Sequence, residues 1–573
     1  MKKISLYKIL PLTLICGSIS VLHAQSGGKD TTYTRQISVE RDFNPTLQDA
    51  NKINALPSLY EPTVKKLNSP LADWITSGSP KLLQLTNTNA GNFGTDIEHD
   101  KNRGYAGLRL GTHGNIEGEA GYQAISNETT MLDFFGTYNA SSAKPKHIDY
   151  LYKNDAKAKF SDAFFKVGLQ HKFEPLTLFL SSSYQNEGFN YYGAAYASDS
   201  GSTFEYDKKQ TATIFHLGAG IQSKTQTIMR YMAHLGYDNF GLKYDSIMDK
   251  GPKSGILSGD FNFNTDFGTD RIIGLNVHFL NQSLSKEYKD LHTFTHFKFN
   301  PYLDFTGSNW KATLGVNGHI TFDAINKVLL VPNISASWNF LETSSLYGSV
   351  VGDVNENTYL DILKENRYVN PSIRISPSRT YYDAEIGIKS GIIKGLEFDF
   401  FTGYKYTSSE HLYVASSVGV LENVNSAIYA NLNQGKVGGQ IKTNLIPYVD
   451  LFTKLTTYFY KVKYRDEVSD TYLPKAAWNK PTYTFELNAD IKPFDKFVVT
   501  ANYLLAGGRK YYDDGEKKNM KSINELNAKG VYQFTKMVSA SVSINNFLNQ
   551  KYELVPGYAN YGTNLLVGAS VKF

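Results

Sequence analysis

His292 and His296 lie four residues apart in a stretch that reads as a strand, which puts both imidazoles on one face. Such a pair can ligate a metal. It is also an ordinary pair of polar residues on a wet or interface-facing surface, and this plainer reading is taken, so no metal ligand is assigned. The signatures of hydrolytic and phosphate chemistry do not stand out. There is no metalloprotease histidine pair at helical spacing, no phosphate loop ending in Gly-Lys-Ser/Thr, and no Gly-x-Ser-x-Gly elbow. The run Asp513–Lys518 carries carboxylates but not the regularly spaced oxygen ligands of a calcium loop, and it reads as a solvated loop tip. Tyr191, Tyr192 and Tyr196 are the candidate ligand-contact residues. A phenol offers a flat apolar face and a hydroxyl at little entropic cost, but Tyr equally suits the aromatic belt at a bilayer edge. Both readings stay open. The sequence calls for no enzyme and no cofactor.

The elements that would position these residues are strands. Aromatic residues make up 14% of the chain, with 40 Tyr and 34 Phe, yet mean hydropathy is only −0.34. In Thr482–Ile491, Tyr483, Phe485, Leu487, Ala489 and Ile491 alternate with Thr, Glu, Asn and Asp. Val538–Asn545, Tyr382–Lys389 and Leu396–Phe401 alternate in the same way. Period two places one set on each face. Charged residues opposite clean apolar ones suit a water-filled lumen on one side and lipid on the other. The expected fold is therefore all-β: a transmembrane antiparallel barrel over residues 103–573.

Turns support this. Short ones near Glu174–Pro175, Gln222–Thr225, Thr265–Arg271, Gly307–Asn309, Ile392–Gly395, Pro493–Lys496 and Thr535–Lys536 alternate with long stretches. The long stretches lie near 190–207, 241–253, 353–378, 410–431, 464–480, 510–520 and 549–563. Outer-membrane barrels have short periplasmic turns and long extracellular loops. The count is about 22 strands, and the last, Asn564–Phe573, should pair with the first, near Arg103–Thr112. Val567, Ala569, Val571 and Phe573 share one face of it and form the expected signal for the barrel-assembly machinery. A bore of roughly 40 Å follows from strand spacing and tilt. It must be obstructed by the N-terminal segment, by infolded loops or by a partner.

Residues 1–24 read as a secretory signal peptide, with Lys2, Lys3 and Lys8 ahead of the apolar Ile9–Val21 and Ala24 at the cut. Cys16 is the one cysteine, and Ile15 before it does not suit a lipobox. Three of the five net positive charges fall in this segment, leaving two, so nothing points to nucleic acid. Residues 25–102 lack alternation and read as a periplasmic or lumenal segment with little regular structure. Within it Pro45–Ile53 reads as a short helix capped by Asn44.

The run Ile544–Glu553, then Pro556-Gly557-Tyr558 and the final strand, resembles the end of TonB-dependent receptor barrels. That resemblance covers the barrel, about 470 residues, and its usual 22 strands. It implies an outer-membrane protein that takes up or binds a ligand, with the lipid bilayer and the assembly machinery as partners. TonB, a surface lipoprotein or a periplasmic protein would be a further partner, and Gln36–Glu40 is a candidate segment for TonB. The chain departs from the family in having fewer than 80 residues between the signal and the first strand, and none of the plug motifs. Two alternatives therefore stand: a non-transport subunit or scaffold of an envelope assembly or export complex, and a passive porin.

Overall fold

A computed structural model describes residues 102–145, 157–193, 209–224, 228–245, 250–322, 327–418, 421–465, 473–513 and 515–573. The expectations for residues 1–24, for 25–101 and for Tyr196 lie outside these. Alternating sequence gives a sheet of 22 strands. The strands are β1 Gly104–Gly111, β2 Ile116–Ser126, β3 Thr130–Ala143, β4 Ala158–Lys172, β5 Leu176–Asn190, β6 Lys209–Ser223 and β7 Met229–Leu242. Then come β8 Lys253–Asp266, β9 Arg271–Leu284, β10 Phe294–Thr306, β11 Trp310–Phe322, β12 Lys327–Leu341, β13 Ser344–Asn355, β14 Ser378–Ile393 and β15 Leu396–Val418. The last seven are β16 Leu421–Thr443, β17 Val449–Tyr464, β18 Tyr483–Phe494, β19 Phe497–Gly507, β20 Ile523–Gln533, β21 Val538–Asn545 and β22 Asn564–Lys572.

Each strand pairs antiparallel with the next, and β1 pairs with β22 from Tyr105↔Lys572 to Gly111↔Leu566. The sheet thus closes and has no free edge, which a bilayer requires. Gly104 and Phe573 exchange both backbone hydrogen bonds at the seam, at 2.7 and 2.9 Å. A Cβ on Gly104 would sit 2.5 Å from the Phe573 ring, so the glycine makes room for the terminal aromatic. That ring stacks beside Tyr122.

The wall is apolar outside. Leu235, Leu330, Val437, Phe459 and Val567 are all more than half exposed. So wide an apolar surface is stable only against lipid. Phe173, Phe267, Trp310, Tyr448, Phe494 and Phe534 are exposed near the short turns and form an aromatic belt there. The molecule is a transmembrane β-barrel of the outer-membrane type.

One expected loop is not a loop. Residues 410–431 belong mostly to β15 and β16, each 23 residues long. At about 3.4 Å per residue and about 45° tilt such a strand climbs about 50 Å, twice the apolar band of about 25 Å. This hairpin therefore stands well above the bilayer. A bulge between Thr407 and Glu410 interrupts its alternation.

Candidate functional site

The site begins where β13 parts from β12 while keeping its pairing with β14 as far as Asn355↔Ser378. Its pairing with β12 stops at Asn333↔Val351, and its register against β14 slips between Val351 and Asp353. Gly352 sits at the slip. A Cβ there would lie 2.4 Å from Val331 Cβ and 2.6 Å from the Tyr381 carbonyl, so the bend needs glycine. The chain then crosses the inside of the wall, one strand after another. Asn317 Nδ2 of β11 donates to the Gly352 carbonyl at 2.7 Å. Lys298 of β10 pairs with Asp353 at 2.8 Å. His296 Nδ1, also on β10, meets Glu356 Oε1 at 2.8 Å. Tyr359 N donates to Gln282 Oε1 of β9 at 2.8 Å.

There the helix α1, Tyr359–Glu365, starts with a Thr358/Asp361 capping box. Its buried face, Tyr359, Leu360, Ile362 and Leu363, packs on Phe240, Leu242, Ile256, Leu280 and Phe294. These five come from β7, β8, β9 and β10, near the strand ends away from the short turns. Each buried side chain contributes roughly 1.5–3 kcal/mol, enough to hold the loop inside the barrel.

A second layer locks the loop. Tyr368 stacks on Tyr558 with ring centroids 3.6 Å apart. Tyr192 donates its hydroxyl hydrogen to the Ala559 carbonyl at 3.0 Å. Asn366 Nδ2 donates to Asn425 Oδ1 of β16 at 2.9 Å. Tyr558 lies on a small hairpin, Glu553–Val555 with Tyr558–Ala559, whose carbonyl at Leu554 accepts from the buried Arg509 at 2.8 Å. Tyr191 and Tyr192 are thus buried in the roof among Phe189, Tyr368 and Tyr558.

Beneath the roof lies a cavity of about 1730 Å³. Eleven Asp and Glu and eight Lys and Arg line it, so opposite charges are interleaved rather than segregated. Many pair across the wall: Lys436–Glu385 at 2.5 Å, Arg367–Glu187 at 3.2 Å and Lys480–Glu410 at 2.8 Å. Asn262, Asn276 and Asn300 sit in register on β8, β9 and β10, and Asn276 donates to Asn300 at 2.9 Å. Such a surface offers many donors and acceptors to a polar solute and little net field.

Histidine and carboxylate side chains form a continuous run on this wall. Asp260 Oδ1 meets His278 Nδ1 at 2.7 Å, and His278 Nε2 lies 3.3 Å from Glu356 Oε1. His296 Nε2 contacts His319 Nδ1 at 3.1 Å, the two rings stacked, and His319 Nε2 lies 3.6 Å from Asp353. Burial opposes a charge on Glu356, but hydrogen bonds from His278 and His296 more than offset it and hold the carboxyl far below the usual range.

The expected strand shared by His292 and His296 is not found. His292 closes a helical turn, Lys289–His292, and His296 stands in β10. The partners of His296 come instead from β9, β11 and the loop after β13. No spacing in the sequence relates His278, His296, His319 and Glu356. One signal was available. Inward positions change from polar to apolar near one end of the wall, at Phe240, Leu242, Leu280 and Phe294, where a wet lumen would not keep them.

The fold has known counterparts. The ferric enterobactin receptor of Pseudomonas aeruginosa superposes with a TM-score of 0.63 at 11% identity, over 82% of this chain and 80% of that one. The FrpB iron transporter of Neisseria meningitidis gives 0.63 at 10%, over 83% and 82%. The ferripyoverdine receptor of the P. aeruginosa outer membrane gives 0.59 at 13%, over 82% and 72%. The resemblance to TonB-dependent receptor barrels therefore holds at the level of the fold. No protein-family model matches the sequence, and no curated protein does.

Proposed function

We propose that this barrel is an uptake receptor that admits a polar ligand from outside the cell into the chamber beneath the loop at 356–377. The observation that carries this reading is the inward crossing of that loop. A passive porin has no use for a roof anchored by a buried helix, and a scaffold has none for a charged chamber below it. At about 1730 Å³ the cavity exceeds the roughly 300–1,000 Å³ of an ordinary small-molecule pocket, so a bulky solute suits it. The three solved counterparts make ferric chelates the first class to try. Energising through a periplasmic partner such as TonB, at Gln36–Glu40, belongs to the same proposal.

The test is accumulation of radiolabelled ferric enterobactin and ferripyoverdine by cells that depend on this protein. Uptake that disappears when residues 358–376 or 25–60 are deleted supports the reading. Large steady conductance in a planar bilayer without uptake would favour a porin. A stoichiometric partner on crosslinked purification, again without uptake, would favour a scaffold.

A further inference from the structure

His278, His296 and Glu356 come from β9, β10 and the crossing after β13, and each directs one ligand atom into a space where all three lie within 4.8 Å. Three features make this more than a polar cluster. The first is that Asp260 engages His278 Nδ1 at 2.7 Å. With Nδ1 held there, Nε2 is the nitrogen turned toward the Glu356 carboxylate, 3.3 Å from Oε1. A metal ion would take the place of the protons through which the histidines reach that carboxylate. The second is the spacing. Zinc bonds of about 2.0–2.2 Å to nitrogen and oxygen put neighbouring tetrahedral ligands roughly 3.3 Å apart, and His278 Nε2 and Glu356 Oε1 are 3.3 Å apart. His296 Nδ1, at 2.8 Å, needs to withdraw by only about half an ångström. The third is the surround. Metal-binding imidazoles are normally oriented through their other nitrogen. Here Asp260 holds His278, and His319 holds the fully buried His296 through its Nε2.

From this geometry we infer that His278, His296 and Glu356 form a divalent transition-metal site on the lumen wall. Two imidazoles and one carboxylate suit zinc, cobalt or nickel rather than magnesium or calcium. Three protein ligands leave a coordination position open. His278 and Glu356 line the chamber, so that position faces it and can take water or a donor atom from a solute. The site also ties the crossing to the wall, since Glu356 belongs to the loop and the histidines to the strands. Its existence does not depend on whether the barrel transports anything.

The experiment is a titration of purified, chelator-treated, full-length protein in detergent with cobalt(II), followed by absorption spectroscopy, with competition by zinc. One equivalent per barrel, a ligand-field band displaced stoichiometrically by zinc, and loss of that band in His278→Ala and Glu356→Gln are expected. Asp260→Asn should retain the band with affinity reduced roughly 10–100-fold. His216→Ala removes a similar carboxylate-paired histidine, 2.8 Å from Asp238, and should bind like the wild type. Resistance of the folded band to SDS at room temperature establishes that each variant is a barrel. Wild-type protein that shows no band, or folded His278→Ala and Glu356→Gln proteins that bind as it does, would overturn the assignment.

Discussion

The seam between β1 and β22 and the crossing at 352–359 both join residues far apart in the chain, and they do so by opposite means. At the seam the contacts are backbone ladder, repeated from Tyr105↔Lys572 to Gly111↔Leu566. Nearly any alternating sequence can make them. At the crossing each contact belongs to a particular side chain: Asn317, Lys298, His296 and Gln282 on the wall, and a glycine at the bend. A barrel wall therefore survives at 10–13% identity to its counterparts, whereas a roof depends on particular residues at particular places.

The comparison can be broken most sharply at α1. Ile362→Asp with Leu363→Asp removes two buried apolar side chains, about 3–6 kcal/mol of burial, and adds charges without partners. Proteinase added to intact cells should then cut within 356–377, while the folded barrel still resists SDS. Resistance of the loop to the proteinase would show that α1 does not hold the roof. Lys480→Met is expected to cost about 3 kcal/mol, because it strands Glu410 without its partner. Adding Glu410→Leu should recover much of that loss, as read from the apparent melting temperature.

The seam should tolerate more. Gly104→Val pushes a side chain into the Phe573 ring, and roughly 1–3 kcal/mol of overpacking is expected. The yield of folded barrel on refolding from urea into detergent, with no assembly machinery present, should fall but not vanish, and Phe573→Ala in the same chain should restore part of it. A loss of all folded protein would mean that the ladder is not what closes the barrel.

Within the roof, Glu553 gives a pH dependence. Burial pushes its carboxyl up to about 8, although the Gly557 N–H partly opposes this. The folded form therefore holds a proton that the unfolded form, with a pKa near 4.3, gives up. Its stabilisation of the hairpin is full below about pH 4, declines as pH rises, and is gone once pH passes about 8. Protection factors of the amides in 550–560, exchange rates divided by the intrinsic base-catalysed rates, should fall between about pH 5 and pH 8, and Glu553→Gln should flatten that fall. The smallest effect belongs to Lys518→Ala, which breaks an exposed pair with Asp513 and should leave the melting temperature unchanged.

The wall was legible because its rule is local. Period-two alternation and the spacing of short turns give the strands, their number and the pairing of last with first. Legibility failed wherever the period was interrupted. The bulge between Thr407 and Glu410, with Ser409 in the left-handed region, shifts the phase of β15, so its upper half reads as loop. The roof was not legible because it depends on distant meetings, such as Tyr192 with Ala559 or Glu356 with His278. The tyrosines after β5 were singled out for their chemistry, and the fold uses Tyr191 and Tyr192 to pack the roof. His296 was noticed for its spacing from His292, but His292 closes a helical turn and only His296 stands in β10.

Chemical access measures directly whether the loop at 356–377 covers the polar chamber from outside. Cys16 is the chain's only natural cysteine. A cysteine placed at Asn276, on the chamber wall, can be challenged on intact cells with a membrane-impermeant maleimide. Slow labelling is expected in the otherwise unchanged protein and fast labelling when residues 358–376 are deleted. Equally fast labelling in both would contradict that expectation.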